Sequence, residues 1–422
     1  MNNNSITSGI LSVQFSGLYK KRKLAYSENN VRTEKRRDSK MEKKLSKEAI
    51  CTHYADDPSR YMGAVNPPIF QTSLFTECEG NEPGREGRWN YTRVSNPTTD
   101  IVERKIAALE NGEACRAFSS GMGAISSAIM HHMKKDCHVV AVASAYGPAR
   151  RFLDTYLARF GVSVTYVSGA DVQEIEDAIR DNTALIYLES PSSLIFVVQD
   201  LKKIAEIAKA RDIATIVDNS YCSPIFQNPI DFGIDMVVHT ASKYLGGHSD
   251  IVGGVVIGRK ADMEAIAENE RELLGAVQSP FDSFLMLRGV RTLATRMKVH
   301  YANALDMADW FLKMDIVKEV IYPMHPSHPQ HELAKQMMTG SGGLMSVVFD
   351  LDGETLKRIG RELQCFHVGP SWGGYESMYI CPGADPAQVA AGCKKGLARM
   401  HIGQEDTALL KEDWETVLKK VL

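Results

Sequence analysis

Leu201-Lys202-Lys203-Ile204-Ala205-Glu206-Ile207-Ala208-Lys209-Ala210-Arg211-Asp212-Ile213-Ala214-Thr215-Ile216-Val217-Asp218 reads as a helix followed by a strand. Leu201, Ile204, Ala205 and Ala208 recur at the three- and four-residue spacing of one helix face, and Ile213 to Val217 is a short, almost wholly apolar run. A strand apolar on both faces belongs in a sheet covered on both sides. The same pair precedes it: Val172, Ile175, Ala178 and Ile179 mark a helix face, and Ala184 to Leu188 a strand. Further out, Val102, Ile106 and Leu109 mark a helix that Gly112 is placed to close, and Val139 to Ala143, Met236 to His239 and Gly254 to Ile257 read as strands. The expected fold is α/β, with a mostly parallel sheet in a large lobe. Ligands of such sheets lie beyond the carboxyl ends of the strands. Around Leu287-Arg288-Gly289 the rhythm changes. A long helical stretch through Ala302 to Phe311 and a strand from Leu344 to Leu351 predict a smaller α+β lobe reaching Leu422.

Composition narrows the function classes. With 422 residues, 44% hydrophobic and 24% charged, the chain is long enough for two lobes around a large core. A formal net charge of −3 gives no reason to expect nucleic acid or an anionic membrane as partner. No apolar stretch approaches the roughly 20 residues of a membrane span. The eight cysteines form no CxxC pair and do not alternate with histidines, so thiols in a reducing cytoplasm are expected, and no metal. Residues 1–48 stand apart, with Lys20, Lys21, Arg22, Lys23, Arg32, Lys35, Arg36 and Arg37. Glu28, Glu34 and Asp38 are out of place in a transit peptide, so a disordered basic extension is expected, with Met41 a candidate start.

Several residues at strand ends suggest chemistry. Lys243 follows the strand at 236–239, in His239-Thr240-Ala241-Ser242-Lys243-Tyr244-Leu245-Gly246-Gly247-His248. Alone it reads as a lysine capping a strand end. Asp218 ends the preceding strand at the same rim and by itself could be a turn former. Together, a lysine and a carboxylate suit a pyridoxal cofactor, whose ring nitrogen needs a carboxylate to stay protonated as an electron sink. Ser119-Ser120-Gly121-Met122-Gly123 reads as the opening of a helix, and small residues before a helix N-terminus let backbone N–H groups approach a phosphate. Thr240 and Ser242 can add hydroxyl donors. Tyr146, after the strand 139–143, can stack on a planar ring and join proton transfer, although core packing is the simpler reading of an aromatic there. Arg399 lies in a strand-like run, where a buried guanidinium needs a partner such as an amino-acid α-carboxylate. Tyr91-Thr92-Arg93 reads on chemistry alone as a basic turn with an aromatic.

In combination, YTRxxNPT at 91–98, SSGMGA at 119–124, YGP at 146–148, VDNS at 217–220, SKYLGGHSD at 242–250, SWGGYES at 371–377 and RMHIGQED at 399–406 resemble the Cys/Met-metabolism family of pyridoxal-phosphate enzymes. The resemblance runs from about Ile50 to the C-terminus. It implies a type I aminotransferase-like fold, pyridoxal 5'-phosphate as cofactor, a small sulfur amino acid as substrate, and a homodimer or homotetramer. The division it suggests is an arm at 49–97 contributing to a neighbouring active site, a cofactor-binding domain at 98–288 and a C-terminal domain at 289–422. It also implies roles. Lys243 carries the cofactor as a Schiff base and then removes the Cα proton. Asp218 pairs with the ring nitrogen, and Tyr146 stacks on the ring. Gly121, Met122, Thr240 and Ser242 hold the phosphate. Tyr91 and Arg93 reach the neighbouring subunit's phosphate. Arg399 binds the substrate carboxylate, with Ser371 and Trp372 beside it.

Within the family, 371–377 and 401–406 favour β-elimination, which on cystathionine gives homocysteine, pyruvate and ammonia. Glu189-Ser190-Pro191-Ser192-Ser193-Leu194 leans the same way, lacking the Asn-Pro usual in γ-acting members. The loop 119–124 instead reads as the γ-enzyme form, which keeps γ-elimination and γ-replacement open. A regulatory protein that only binds the cofactor or an amino acid is the reading outside enzymology.

Overall fold

A computed structural model describes residues 45–78, 81–82, 89–385 and 393–422. The chain divides into two units, Met1–Ala49 and Ile50–Leu422. Residues 1–44 of the basic extension lie outside the described residues.

The second unit holds two sheets. The larger contains β1 (Ala114–Phe118), β2 (His138–Val142), β3 (Ser163–Val167), β4 (Thr183–Glu189), β5 (Ala214–Asp218), β6 (Met236–Thr240) and β7 (Gly254–Gly258), in the order β1-β7-β6-β5-β4-β2-β3. β2 through β6 run parallel, and β2, β4, β5 and β6 are buried on both faces, as their near-continuous apolar runs require, while β3 is a half-buried edge strand. Leu185, Ile186 and Leu188 of β4 are fully buried. Each such side chain removed from water is worth roughly 1.5–3 kcal/mol. Helix α1 (Pro97–Leu109) leads into β1, and α2 (Gly121–His132), α3 (Val172–Asp177) and α4 (Leu201–Ala210) connect successive strands. α4 buries Leu201, Ile204, Ala205 and Ala208, the four positions its periodicity marks, and Asp200 caps it by accepting from the Lys203 N–H.

The sheet is mostly parallel, as expected, and β7 is its exception, running antiparallel to both β6 and β1. No crossover helix separates it from β6, so the chain turns back and pairs Thr240 with Gly254. Residues 241–253 form that turn, and Lys243 sits in it. β1 was not anticipated from the sequence, since Arg116 interrupts its apolar run.

The chain then enters α5 (Pro280–Arg291) and α6 (Leu293–Phe311), the latter longer than the helical pattern suggested. The smaller sheet follows: β8 (Val317–Ile321), β9 (Leu344–Phe349), β10 (Phe366–Val368), β11 (Ser377–Ile380) and β12 (Leu397–His401), in the order β10-β11-β12-β9-β8. The last helix, α7 (Thr407–Val421), buries Trp414 against Phe349, with ring centroids 5.7 Å apart. No helix among the described residues is long and apolar enough to cross a membrane.

The parallel pairing decides where chemistry can occur. Glu189 at the end of β4 is in register with Asp218 at the end of β5, and β6 ends beside them at Thr240. Three polar strand ends therefore share one rim.

Candidate active site

A cavity of about 610 Å³ opens at that rim. Its phosphate-sized end is built from α2 and the β6–β7 turn. Ser120 caps α2 by accepting the Gly123 N–H at 2.9 Å, leaving the first-turn amides of Gly121 and Met122 at the cavity wall. Gly121 is required there by close approach, because a Cβ would run into the Thr240 side chain. Thr240 and Ser242 line the same end. Ser242 accepts the Gly253 N–H at 3.1 Å, which fixes its hydroxyl against the returning strand.

Asp218 stands at the other end, 5% exposed, with Oδ1 accepting the Ser220 N–H at 3.0 Å. Burial pushes its carboxyl up from the usual range, while the Ser220 donors and nearby His239 pull it down. A cation placed against Asp218 would favour the ionised form, and a protonated pyridine nitrogen is such a cation.

Between these ends lies Lys243. Its Nζ donates to Ser371 Oγ at 2.9 Å and sits 5.4 Å from the centre of the Trp372 ring. Burial, and then the neighbouring Arg399 charge, bring its ammonium down to about 8. Arg399 reaches the cavity from β12. One Nη donates to the carbonyls of Pro370 at 2.8 Å and Ser371 at 3.1 Å, while its Nε is buried without a partner. Burial lowers its guanidinium to about 10, and among the described residues no carboxylate pairs with it. An unneutralised guanidinium at a cavity wall is a seat for an anionic group.

Tyr146 also lines the cavity and is 43% exposed, so its ring is free to cover a planar ligand. Of the twelve residues singled out in the sequence, ten meet here: Lys243, Asp218, Gly121, Met122, Tyr146, Thr240, Ser242, Arg399, Ser371 and Trp372. Tyr91 and Arg93 do not line the cavity. Arg93 lies 5.2 Å from the Tyr91 ring and 3.6 Å from Glu272, at the surface. The sequence reading missed Glu189, which lines the cavity and accepts the Tyr146 N–H at 2.7 Å. The signal was present, since Glu189 ends an apolar strand just as Asp218 does.

Donors for an anion at one end, a carboxylate at the other, an amine between them and an exposed aromatic alongside fit pyridoxal phosphate. The family comparison bears on the same point. A family model described as Cys/Met metabolism PLP-dependent enzyme matches residues 48–419. The chain belongs to this family. Pyridoxal phosphate is accordingly its cofactor, and the chain is an enzyme acting on small sulfur amino acids.

Members of the Cys/Met metabolism family with different names resemble it about equally. A cystathionine beta-lyase of Coxiella burnetii is 37% identical, covering 87% of this chain and 96% of that protein. An L-methionine gamma-lyase of Treponema denticola is 35% identical, over 85% and 94%. A cystathionine gamma-synthase of Mycobacterium bovis is 36% identical, over 88% and 95%. The crystal structure of metB from Corynebacterium glutamicum matches with a TM-score of 0.85 at 35% identity, covering 90% of this chain and 99% of that one. The family thus carries the cofactor and the sulfur chemistry, and the relatives divide over the reaction.

One consequence concerns Arg399. Arg399→Ala should raise KM by about 10- to 100-fold, the range expected for losing charge-assisted hydrogen bonds to a carboxylate. kcat should change much less. Steady-state kinetics on one substrate test this, and a fall confined to kcat would remove Arg399 from substrate binding.

Proposed function

We propose that this enzyme eliminates the thiol from Cβ of cystathionine, yielding homocysteine, pyruvate and ammonia with uptake of one water, and that it releases sulfide from cysteine in the same way. Arg399 holds the α-carboxylate, which turns the Cα–H bond toward Lys243. The Lys243 amine accepts the Cα proton. When bound, the cofactor ring supplies the sink for the electron pair left behind. Asp218 would keep the proton on the ring nitrogen, and Tyr146, exposed on the cavity wall, would cover the ring and could offer its hydroxyl proton to the departing sulfur. Ser371 accepts a hydrogen bond from Lys243 and lends its carbonyl to Arg399, so base and carboxylate seat are tied together.

The observation that carries the β-reading is the inventory of bases. Among the described residues lining the cavity, Lys243 is the one amine, and no histidine joins it. β-elimination needs a single abstraction, at Cα, whereas γ-chemistry needs a second one at Cβ. The segment 189–194, which lacks the Asn-Pro usual in γ-acting members, supports the same side. The loop 119–124 and the gamma-named relatives support γ-elimination or γ-replacement instead. Keto-acid analysis on cystathionine, cysteine, methionine and O-acetylhomoserine separates the two. Pyruvate from cystathionine is the expected product, and 2-oxobutyrate would replace this reading with the γ one.

The enzyme works in the cytoplasm as a homodimer or homotetramer. Tyr91 and Arg93, on the arm at 49–97, complete the phosphate site of a neighbouring subunit, which accounts for their place outside their own cavity. Mixing inactive Arg93→Ala and Lys243→Ala subunits should then rescue about a quarter of the sites, since half of the random pairs hold one complete site. No rescue after demonstrated subunit exchange would show that both residues serve the same chain.

A further inference from the structure

Glu189 is a buried acid in the cavity that the proposed reaction leaves without a task. Its two oxygens are both engaged. Oε2 accepts the backbone N–H of Tyr146 at 2.7 Å, and Oε1 accepts the Ser193 hydroxyl at 2.5 Å. Tyr146 is the residue before a five-residue helix and has no side-chain cap of its own, so the Glu189 bond is what ties its backbone to β4. Ser193 lies in the segment just after β4 and also lines the cavity. One carboxyl thus joins two cavity walls that are 47 residues apart in sequence (193 − 146).

The sheet order says where this clamp sits relative to the cofactor. Reading across β1-β7-β6-β5-β4-β2-β3, the phosphate donors come from the start of α2 after β1 and from the turn between β6 and β7. Asp218 ends β5 in the middle, and Glu189 ends β4 on the far side. The clamp therefore lies on the side of the cavity away from the phosphate donors. Keeping a carboxyl there is costly. Burial, and then the charge of Asp218, raise Glu189 above the ordinary carboxylate range. A glutamine would avoid that cost and still reach both Tyr146 and Ser193, so what the two bonds require of this side chain is its length.

We propose that Glu189 is a positioning residue for the cofactor: by gripping the Tyr146 amide and the Ser193 hydroxyl together, it fixes the stacking ring over the pyridine plane and closes the ring's far edge. This inference rests on the cofactor and stacking assignments above. It assigns the role to reach, not to charge, and the two can be separated. Glu189→Asp keeps the acid and withdraws it by one methylene, out of hydrogen-bond range of the Tyr146 amide. Glu189→Gln keeps the reach, with its amide oxygen on the Tyr146 N–H and its NH₂ on Ser193 Oγ, which can turn to accept.

The test is the dissociation constant of pyridoxal phosphate for the apoprotein, with the induced circular dichroism of the bound cofactor band as the signature of ring stacking. Glu189→Asp should weaken binding by about tenfold and flatten the dichroic band, in the range expected for one lost hydrogen bond to a charged group. Glu189→Gln should cost no more than about threefold. In a Tyr146→Ala background the Glu189→Asp penalty should largely vanish, because the residue acts through Tyr146. Additive losses in that double variant, or a larger loss for Gln than for Asp, would overturn the proposal. If Glu189→Asp does not fold, the Gln variant decides by itself, since a tenfold loss there contradicts reach as the cause. Wild-type apoprotein that bound no cofactor would instead overturn the cofactor assignment, a separate outcome read before any variant is made.

Discussion

Lys243→Ala should fold but lose turnover by at least about three to four orders of magnitude, and it should take up no covalently held cofactor. General acid–base contributions of a positioned side chain run at about 10²–10⁴, and in the proposed mechanism the same amine is also the point of attachment. The magnitude rests on the environment of the nitrogen. Its ordinary value would leave about one lysine in three thousand neutral at pH 7, whereas lowering to about 8 leaves about one in ten. The sign is fixed: burial and the Arg399 charge penalise the ammonium, so the neutral, nucleophilic form gains. In wild-type apoprotein, labelling of Lys243 by added pyridoxal phosphate and borohydride should therefore accelerate as pH rises through about 8 and level off above about 9. Acceleration continuing to pH 10 would mean that the cavity does not depress this amine. A pyridoxyl adduct on another lysine, with Lys243→Ala still active, would dismantle the site.

Asp218→Asn should leave the cofactor bound and lower kcat by about 10²- to 10³-fold, the cost of removing one preorganised charged partner from a transition state. Asparagine fills the same volume, and its oxygen can still accept the Ser220 N–H that Asp218 accepts at 3.0 Å. Its NH₂ group is then turned to the ring, where a donor meets a nitrogen that must itself carry a proton. The variant favours the unprotonated ring, and the carbanion loses its sink. KM should change little if, as proposed, Arg399 on the other sheet holds the substrate carboxylate. A kcat within threefold of wild type would mean that the ring nitrogen needs no carboxylate here.

The parallel sheet was legible because β4 and β5 are apolar at consecutive positions and α4 repeats its apolar residues every three or four. The site was legible by the same logic, since a polar residue ending such a strand must lie at the rim. That rule found Asp218 and Lys243, and applied once more it would have found Glu189. β7 was recognised as a strand but not as antiparallel. Its residues are buried on both faces either way, and direction depends on the absence of a crossover helix, which hydropathy does not encode. The bond from the Glu189 carboxyl to the Tyr146 amide was beyond reach for a different reason. It joins positions 43 residues apart (189 − 146), and a backbone N–H has no sequence signature.

Tyr244, next to Lys243, has consequences for how this family diversifies. It is 1% exposed, its hydroxyl accepts the Gly343 N–H at 2.8 Å, and its carbonyl takes a hydrogen bond from Arg296 at 2.8 Å. The amine is thus on a short leash. Its backbone cannot drift, and all its travel comes from rotation about its own methylene stem. New leaving groups must be accommodated by the opposite wall, where the Ser371–Trp372 strap faces it, while the proton machinery stays put.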